Sequence, residues 1–179
     1  VLDEVQTGVG LTGTAWAYQQ LGLAPDVVAF GKKSQVCGIM AGGRVDEVPD
    51  NVFRVASRIN STWGGNLADM VRARRILEVI ERDRLIDRAR LLGAHLLSRL
   101  VDLAERHPIV TDPRGRGLMC ACTLDSTARR DAVVTQMRED ERVLILGTGE
   151  RGIRFRPPLT VTVAELDAAV DALDRVVSR

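Results

Sequence analysis

Residues 26–35 read DVVAFGKKSQ, and the fold turns on how that stretch is taken. Val27, Val28, Ala29 and Phe30 form a short apolar, partly β-branched run, which reads as a buried strand. Gly31 ends it, and Lys32 and Lys33 follow at once. Two ammonium groups at the mouth of a buried strand have two readings. Either the chain reaches water there, where lysines are solvated, or one of the pair is a chemical tool. The flanking sequence has to decide between them.

Upstream, Val1 to Val5 reads as a strand end that runs into a glycine-rich loop, QTGVGLTGT. Ala15 to Leu21 has a short helical pattern closed by Gly22, and Pro25–Asp26 leads into the strand at 27–30. Downstream, CGIMAGG reads as another short strand. RINSTWGGNLAD is a polar loop passing into a helix that begins near Asn66. Val71, Ile76, Leu77 and Ile80 form one helical apolar stripe. Leu85, Ile86, Leu92, Leu96, Leu100 and Leu103 form a second, which His107–Pro108 ends. Arginines crowd the polar faces of both helices, as expected of solvated faces paired with nearby acids. The remainder predicts strands at 117–124, 143–146 and 152–156, a helix near 127–140, and a final helix at 163–177 capped by Thr160 or Thr162. The class is α/β at first and α+β last, with a composition shift near residue 108 marking a domain boundary.

Composition narrows the function. The 179 residues are 45% hydrophobic and 27% charged, a globular balance with room for a sizeable core. A net charge of +1 gives no electrostatic pull toward nucleic acid or an acidic membrane surface, and 3% aromatic content offers few stacking platforms. No apolar run approaches the ~20 residues of a membrane span. Cys37, Cys120 and Cys122 are an odd set without paired spacing, which argues against a disulfide framework and for a reducing, cytoplasmic setting. Cys120 and Cys122 share a face of one strand and read as small core residues. His95 and His107 are too far apart for a helix-borne ligand pair, and no metal-site spacing occurs. The loop at 7–13 does not open a long helix as G-x-G-x-x-G and has no phosphate-loop lysine, so a nucleotide site there is not expected. The opening VLDEVQTGVG starts inside a strand, and the expectation is that the chain is part of a longer polypeptide.

Asp3, Glu4, Val5 and Gln6 lie at a strand's carboxyl end, where open α/β sheets place ligands. An acid there is a cap, a surface charge or a site residue. Taken together, Asp3–Gly8 (DEVQTG), Pro25–Val28 (PDVV), Lys32, NSTWGGNLAD at 60–69 and IRFRPPLTVT at 153–162 resemble, in order and spacing, the motifs of the class III (ω-) aminotransferases. These are a branch of the fold-type I pyridoxal-phosphate enzymes. Within them the stretch from Leu11 to Val48 is similar to the lysine branch, the L-lysine 6-transaminases. Leu11 stands where most class III relatives carry a basic residue, and QVCGIMAGG lacks the proline most of them have there.

The resemblance implies the later part of a large mixed-sheet domain over residues 1–107 and a small α+β domain over 108–179. It implies pyridoxal 5'-phosphate as cofactor, with Lys32 as its Schiff-base lysine and proton carrier. Asp3 then faces the ring nitrogen, Val5 packs on a ring face and Gln6 bonds the phenolic oxygen. Ser61 and Thr62 take phosphate, Thr62 that of the other subunit, which implies a homodimer with shared active sites. Asn60 contacts phosphate or substrate. Arg154, favoured over Arg156 on the same strand face, binds the substrate α-carboxylate as a bidentate fork. Lys33 is expected to point elsewhere. The implied reaction takes L-lysine and 2-oxoglutarate to 2-aminoadipate 6-semialdehyde and glutamate, without a metal, nucleic acid or membrane. Alternatives are a class III transaminase for ornithine, 4-aminobutyrate or acetylornithine, or a non-catalytic fragment. Because family members are much longer, the isolated chain is expected to be inactive or very weak.

Overall fold

A computed structural model describes residues 1–59, 62 and 64–179. The assignments of Asn60 and Ser61 lie outside the described residues. The chain forms two compact units, one of residues 1–10 and 14–84, the other of residues 11–13 and 85–179. They divide between Arg84 and Leu85, where the composition shift pointed to 107/108. The reason is the second long helix, whose leucine stripe packs on the carboxyl-terminal sheet.

In the first unit, β1 (Leu2–Asp3) runs parallel to β2 (Val27–Phe30), with Leu2 opposite Val28 and Asp3 opposite Ala29. β3 (Gly38–Ala41) closes the other side antiparallel, Phe30 facing Gly38. The parallel pair brings the carboxyl ends of β1 and β2 to one edge. The expected helix at 15–21 shrinks to a single 3₁₀ turn, Ala17–Gln20. Helix α1 (Leu67–Arg82) starts where Asn66 Oδ1 accepts the N–H of Ala68 at 3.0 Å, a side-chain cap. Its expected apolar stripe is mostly outside: Ile80 is buried, but Val71 and Leu77 are 70% and 52% exposed. Its arginines pair with acids a turn away, Arg74 with Glu78 and Arg72 with Asp69.

The second unit is a four-stranded antiparallel sheet in the order β4-β5-β7-β6, with helices against it. Helix α2 (Leu85–Arg106) buries Leu85, Ala89, Gly93, Leu96, Leu100 and Leu103, a strict three-and-four spacing. Leu96, Leu100 and Leu103 are fully buried, each worth about 1.5–3 kcal/mol of apolar transfer. β5 (Met119–Leu124) alternates, with Cys120, Cys122 and Leu124 inward. β4 (Val110–Arg116) was not expected, because TDPRGRG reads as turn sequence. It is an edge strand with an irregularity between Thr111 and Arg114, and this is where Asp112 (φ 51°) and Pro113 sit. Helix α3 (Thr127–Glu139) follows, capped by Ser126. The strand expected at 143–146 begins later, as β6 (Leu146–Thr148), because Val143 is still bonded to the carbonyl of Met137. β7 (Gly152–Phe155) lies between β5 and β6. The final helix α4 (Val163–Val177) opens with a reciprocal cap between Thr162 and Glu165. His95 on α2 bonds Asp167 on α4, Arg99 forms ion pairs with Asp167 and Asp171, and Arg106 and His107 bond Asp174, tying the two helices along their length.

Candidate active site

Strand alternation sends Asp3 outward and Glu4 inward. The Asp3 carboxyl is exposed; its Oδ1 accepts the N–H of Val5 at 2.9 Å, and its Oδ2 has no partner among the described residues. Glu4 is 3% exposed. Its Oε1 accepts the N–H of Tyr18 at 2.8 Å, and its Oε2 accepts the hydroxyl of Thr7. Its own N–H donates to Ala29 at 2.9 Å, and its carbonyl accepts from Gly8 at 2.8 Å. Glu4 is thus the peg that holds the loop between β1 and the 3₁₀ turn, a role the motif alone does not announce. Glycine is required at position 8, since a Cβ there would stand 2.4 Å from the Trp16 ring. Trp16 in turn meets Phe30 of β2 edge-on at 6.2 Å.

At the end of β2 the chain makes a 3₁₀ turn, Lys32–Ser34. Lys32 has left-handed backbone (φ 56°), an uncommon state for a residue with a Cβ. Gln35 holds it there: the Lys32 carbonyl accepts the Gln35 N–H at 2.9 Å and its side-chain amide at 3.2 Å. The Lys32 side chain is exposed and makes no hydrogen bond or ion pair among the described residues. Lys33 diverges as expected: half-buried, it donates from Nζ to the carbonyl of Gln6 at 2.8 Å. These two are the only lysines among the chain's 179 residues.

The first unit therefore brings Asp3, Val5, Gln6 and Lys32 to the carboxyl ends of two neighbouring parallel strands, β1 and β2. Thr62 is exposed in the turn before α1. A cavity of about 920 Å³ in this unit is lined by Val5, Phe30, Cys37, Ile39, Asn66 and Met70 among others. Of the proposed site residues that are described, only Val5 reaches it. Cys37 is exposed and sits over Gly31, where a Cβ would stand 2.8 Å from its sulfur.

Arg154 lies in the second unit, on β7 between Ala121 and Leu146 of the flanking strands. Its Nε is buried and has no hydrogen-bond partner among the described residues. A buried guanidinium nitrogen left unpaired is costly unless an acceptor arrives. Cys120 and Cys122 are buried in the same unit, and burial pushes their thiols up to about 11 and about 12. They are core groups, as their shared strand face predicted. Among the described residues no cluster of His, Cys, Asp or Glu could hold a metal ion, and no helix is long and apolar enough to cross a membrane.

The donor set fits pyridoxal phosphate. A free primary amine suits an aldehyde, an outward carboxylate with an open oxygen suits a protonated ring nitrogen, and a hydroxyl suits a phosphate. Fold and donor set together are those of a fold-type I pyridoxal-phosphate-dependent transferase. The family described as aminotransferase class-III matches residues 1–177, and the chain belongs to it. It is 64% identical over 174 residues to the L-lysine-epsilon aminotransferase of Amycolatopsis lactamdurans, covering 97% of this chain and 39% of that one. It is 36% identical to the acetylornithine aminotransferase of Gloeobacter violaceus, over 100% of this chain and 44% of that one. Among solved structures, the lysine aminotransferase of M. tuberculosis in the internal aldimine form superposes with a TM-score of 0.93 at 63% identity. That match covers 98% of this chain and 40% of the other. The chain thus spans about two fifths of the length of these lysine aminotransferases.

Proposed function

We propose that the full-length form of this chain is an L-lysine 6-transaminase. It moves the terminal amine of L-lysine to 2-oxoglutarate and yields 2-aminoadipate 6-semialdehyde and glutamate. The observation that carries this reading is the gap in likeness: 64% identity to a lysine aminotransferase against 36% to an acetylornithine aminotransferase, over nearly the same residues.

Pyridoxal phosphate, when bound, supplies an electron sink for the charge left as a proton leaves the amine-bearing carbon. Lys32 holds the cofactor through its amine and, once displaced, carries that proton. Its lack of a competing partner among the described residues supports the assignment. Asp3 offers its open oxygen to the ring nitrogen and keeps positive charge there. Val5 covers a ring face against water, and the Gln6 amide bonds the phenolic oxygen. Thr62, with Ser61, takes phosphate, Thr62 in the other subunit's site, so the working form is a homodimer. Asn60 contacts phosphate or substrate. Arg154 takes the α-carboxylate of lysine and of 2-oxoglutarate, which leaves the far amine of lysine as the reacting one; its unpartnered Nε supports this role. The free cysteines support a reducing, cytoplasmic setting.

The test is to supply the full-length protein with lysine, ornithine, acetylornithine or 4-aminobutyrate, each with 2-oxoglutarate. Semialdehyde formation from lysine should dominate, and Lys32→Ala should abolish both turnover and the cofactor's visible band. Preference for another donor refutes the substrate, and a Lys32→Ala protein that still turns over refutes the site. Light scattering on the same sample reads the dimer.

A further inference from the structure

We infer that Lys33 is a positioning residue: its ammonium pins the backbone of Gln6 and so sets where the Gln6 amide points. The inference rests on the cofactor role proposed above for Gln6. Three observations carry it.

First, the bond itself is specific. Lys33 Nζ reaches a carbonyl 27 residues away at 2.8 Å from a half-buried position, a charge-assisted contact across two different loops. Second, both of its ends belong to the site. Gln6 follows Val5, whose N–H is held by Asp3, and precedes Gly8, whose N–H is held by the Glu4 carbonyl. The turn after β1 is braced on either side of Gln6, and Lys33 supplies the tie at Gln6. At the other end Lys33 is the immediate neighbour of Lys32, whose carbonyl is gripped twice by Gln35. Beyond the ends of the paired strands, where β1 and β2 are already held by their ladder and by the bond from Glu4 N–H to Ala29, this bond ties the turn that carries Lys32 to the turn that carries Gln6. Third, the residue type fits. Every other strongly basic side chain of this protein is arginine. A single carbonyl acceptor in a half-buried turn needs one cationic donor on a long flexible stem, which Lys33 supplies.

The experiment is a double-mutant cycle on the full-length protein: wild type, Lys33→Met, Gln6→Ala and the pair, with Lys33→Arg as the conservative variant. Three readouts are taken. They are kcat and KM for lysine, the pH midpoint of the bound cofactor's visible absorbance, and amide hydrogen exchange over residues 5–8 in the cofactor-free protein. Losing a charge-assisted tie in the site should lower kcat about tenfold with KM within about twofold. It should also move the absorbance midpoint and speed exchange at residues 5–8. Because Lys33 acts through Gln6, the double variant should be no worse than Gln6→Ala alone, and Lys33→Arg should return kcat to within about threefold of wild type. Additive losses, an absorbance midpoint identical to wild type in Lys33→Met, or no recovery with Lys33→Arg would overturn the inference. A wild type without the cofactor band overturns the proposed function and this inference together. A wild type that has the band but prefers another amine overturns only the substrate, and the cycle is then read with that amine.

Discussion

Replacing Gly93 by alanine sets two physical effects against each other. Gly93 lies in the middle of α2, where alanine improves helix propensity by about 1 kcal/mol. The helix, however, lies directly on a backbone. A Cβ at 93 would stand 2.1 Å from both the carbonyl carbon and the oxygen of Gly117, and 2.5 Å from its Cα. No side chain can swing away, since every atom met belongs to the main chain. Gly117 cannot retreat either: it is left-handed (φ 52°), and a Cβ on it would stand 2.5 Å from the Leu11 carbonyl. The next residue, Leu118, is bonded to that carbonyl at 2.9 Å. Overpacking of this kind costs about 1–3 kcal/mol, and more where nothing relaxes. The upper end applies, so the net loss is about 2 kcal/mol after the helix gain is counted. In a full-length form about two and a half times this chain's length, that corresponds to a melting point lower by roughly 2 °C, measured by circular dichroism or calorimetry. Gly43→Ala is the control, because nothing lies within 4 Å of its Cβ position; it should change little. A Gly93→Ala protein that melts at or above wild type, as propensity alone demands, would refute the claimed approach of α2 to the Gly117 turn.

Three further outcomes are expected. Thr162→Ala removes the reciprocal cap of α4, in which Glu165 returns the bond at 2.8 Å, and should cost about 1 kcal/mol in denaturant melts; an unchanged midpoint counts against the cap. Thiol mapping by mass spectrometry should label Cys37 first, because burial holds Cys120 up at about 11 and Cys122 at about 12 as neutral, enclosed thiols; equal labelling rates speak against the packing. Burial alone would raise Asp174, but hydrogen bonds from Arg106 and His107 outweigh it and hold its carboxyl below the ordinary 3.8. The unfolded chain then takes up this proton more readily than the folded one, so the contribution is complete above about pH 4 and fades as pH falls below it. Asp174→Asn should flatten the acid limb of the stability profile, and a limb as steep as wild type contradicts the pairing.

Elements with a strong internal period were legible before any coordinates. The α2 stripe, the alternation of β5 and the Thr162 start of α4 all stand where their patterns put them. β4 was hidden because Asp112 and Pro113 break strand chemistry locally, and only the pairing with β5 makes that segment a strand. The α1 stripe was read correctly as periodic, yet period cannot say whether a face is covered, and Val71 and Leu77 are not. The same division holds for the site. Asp3 and Lys32 are proposed as site residues from motif spacing, and they stand at the ends of neighbouring strands. The bond from Lys33 to Gln6 and the anchoring by Glu4 were not legible there, because each reaches a group distant along the chain and leaves no local pattern. One signal was available: two lysines side by side in a chain that otherwise uses arginine.

That economy of primary amines has a practical side. Acylating and aldehyde reagents attack amines and pass over guanidinium groups. Within this chain the side-chain amines are confined to one turn, and of the two, Lys32 is exposed and unengaged among the described residues while Lys33 is half-buried and bonded. A broad amine-directed probe, ordinarily indiscriminate, becomes a reporter of a single position in this segment.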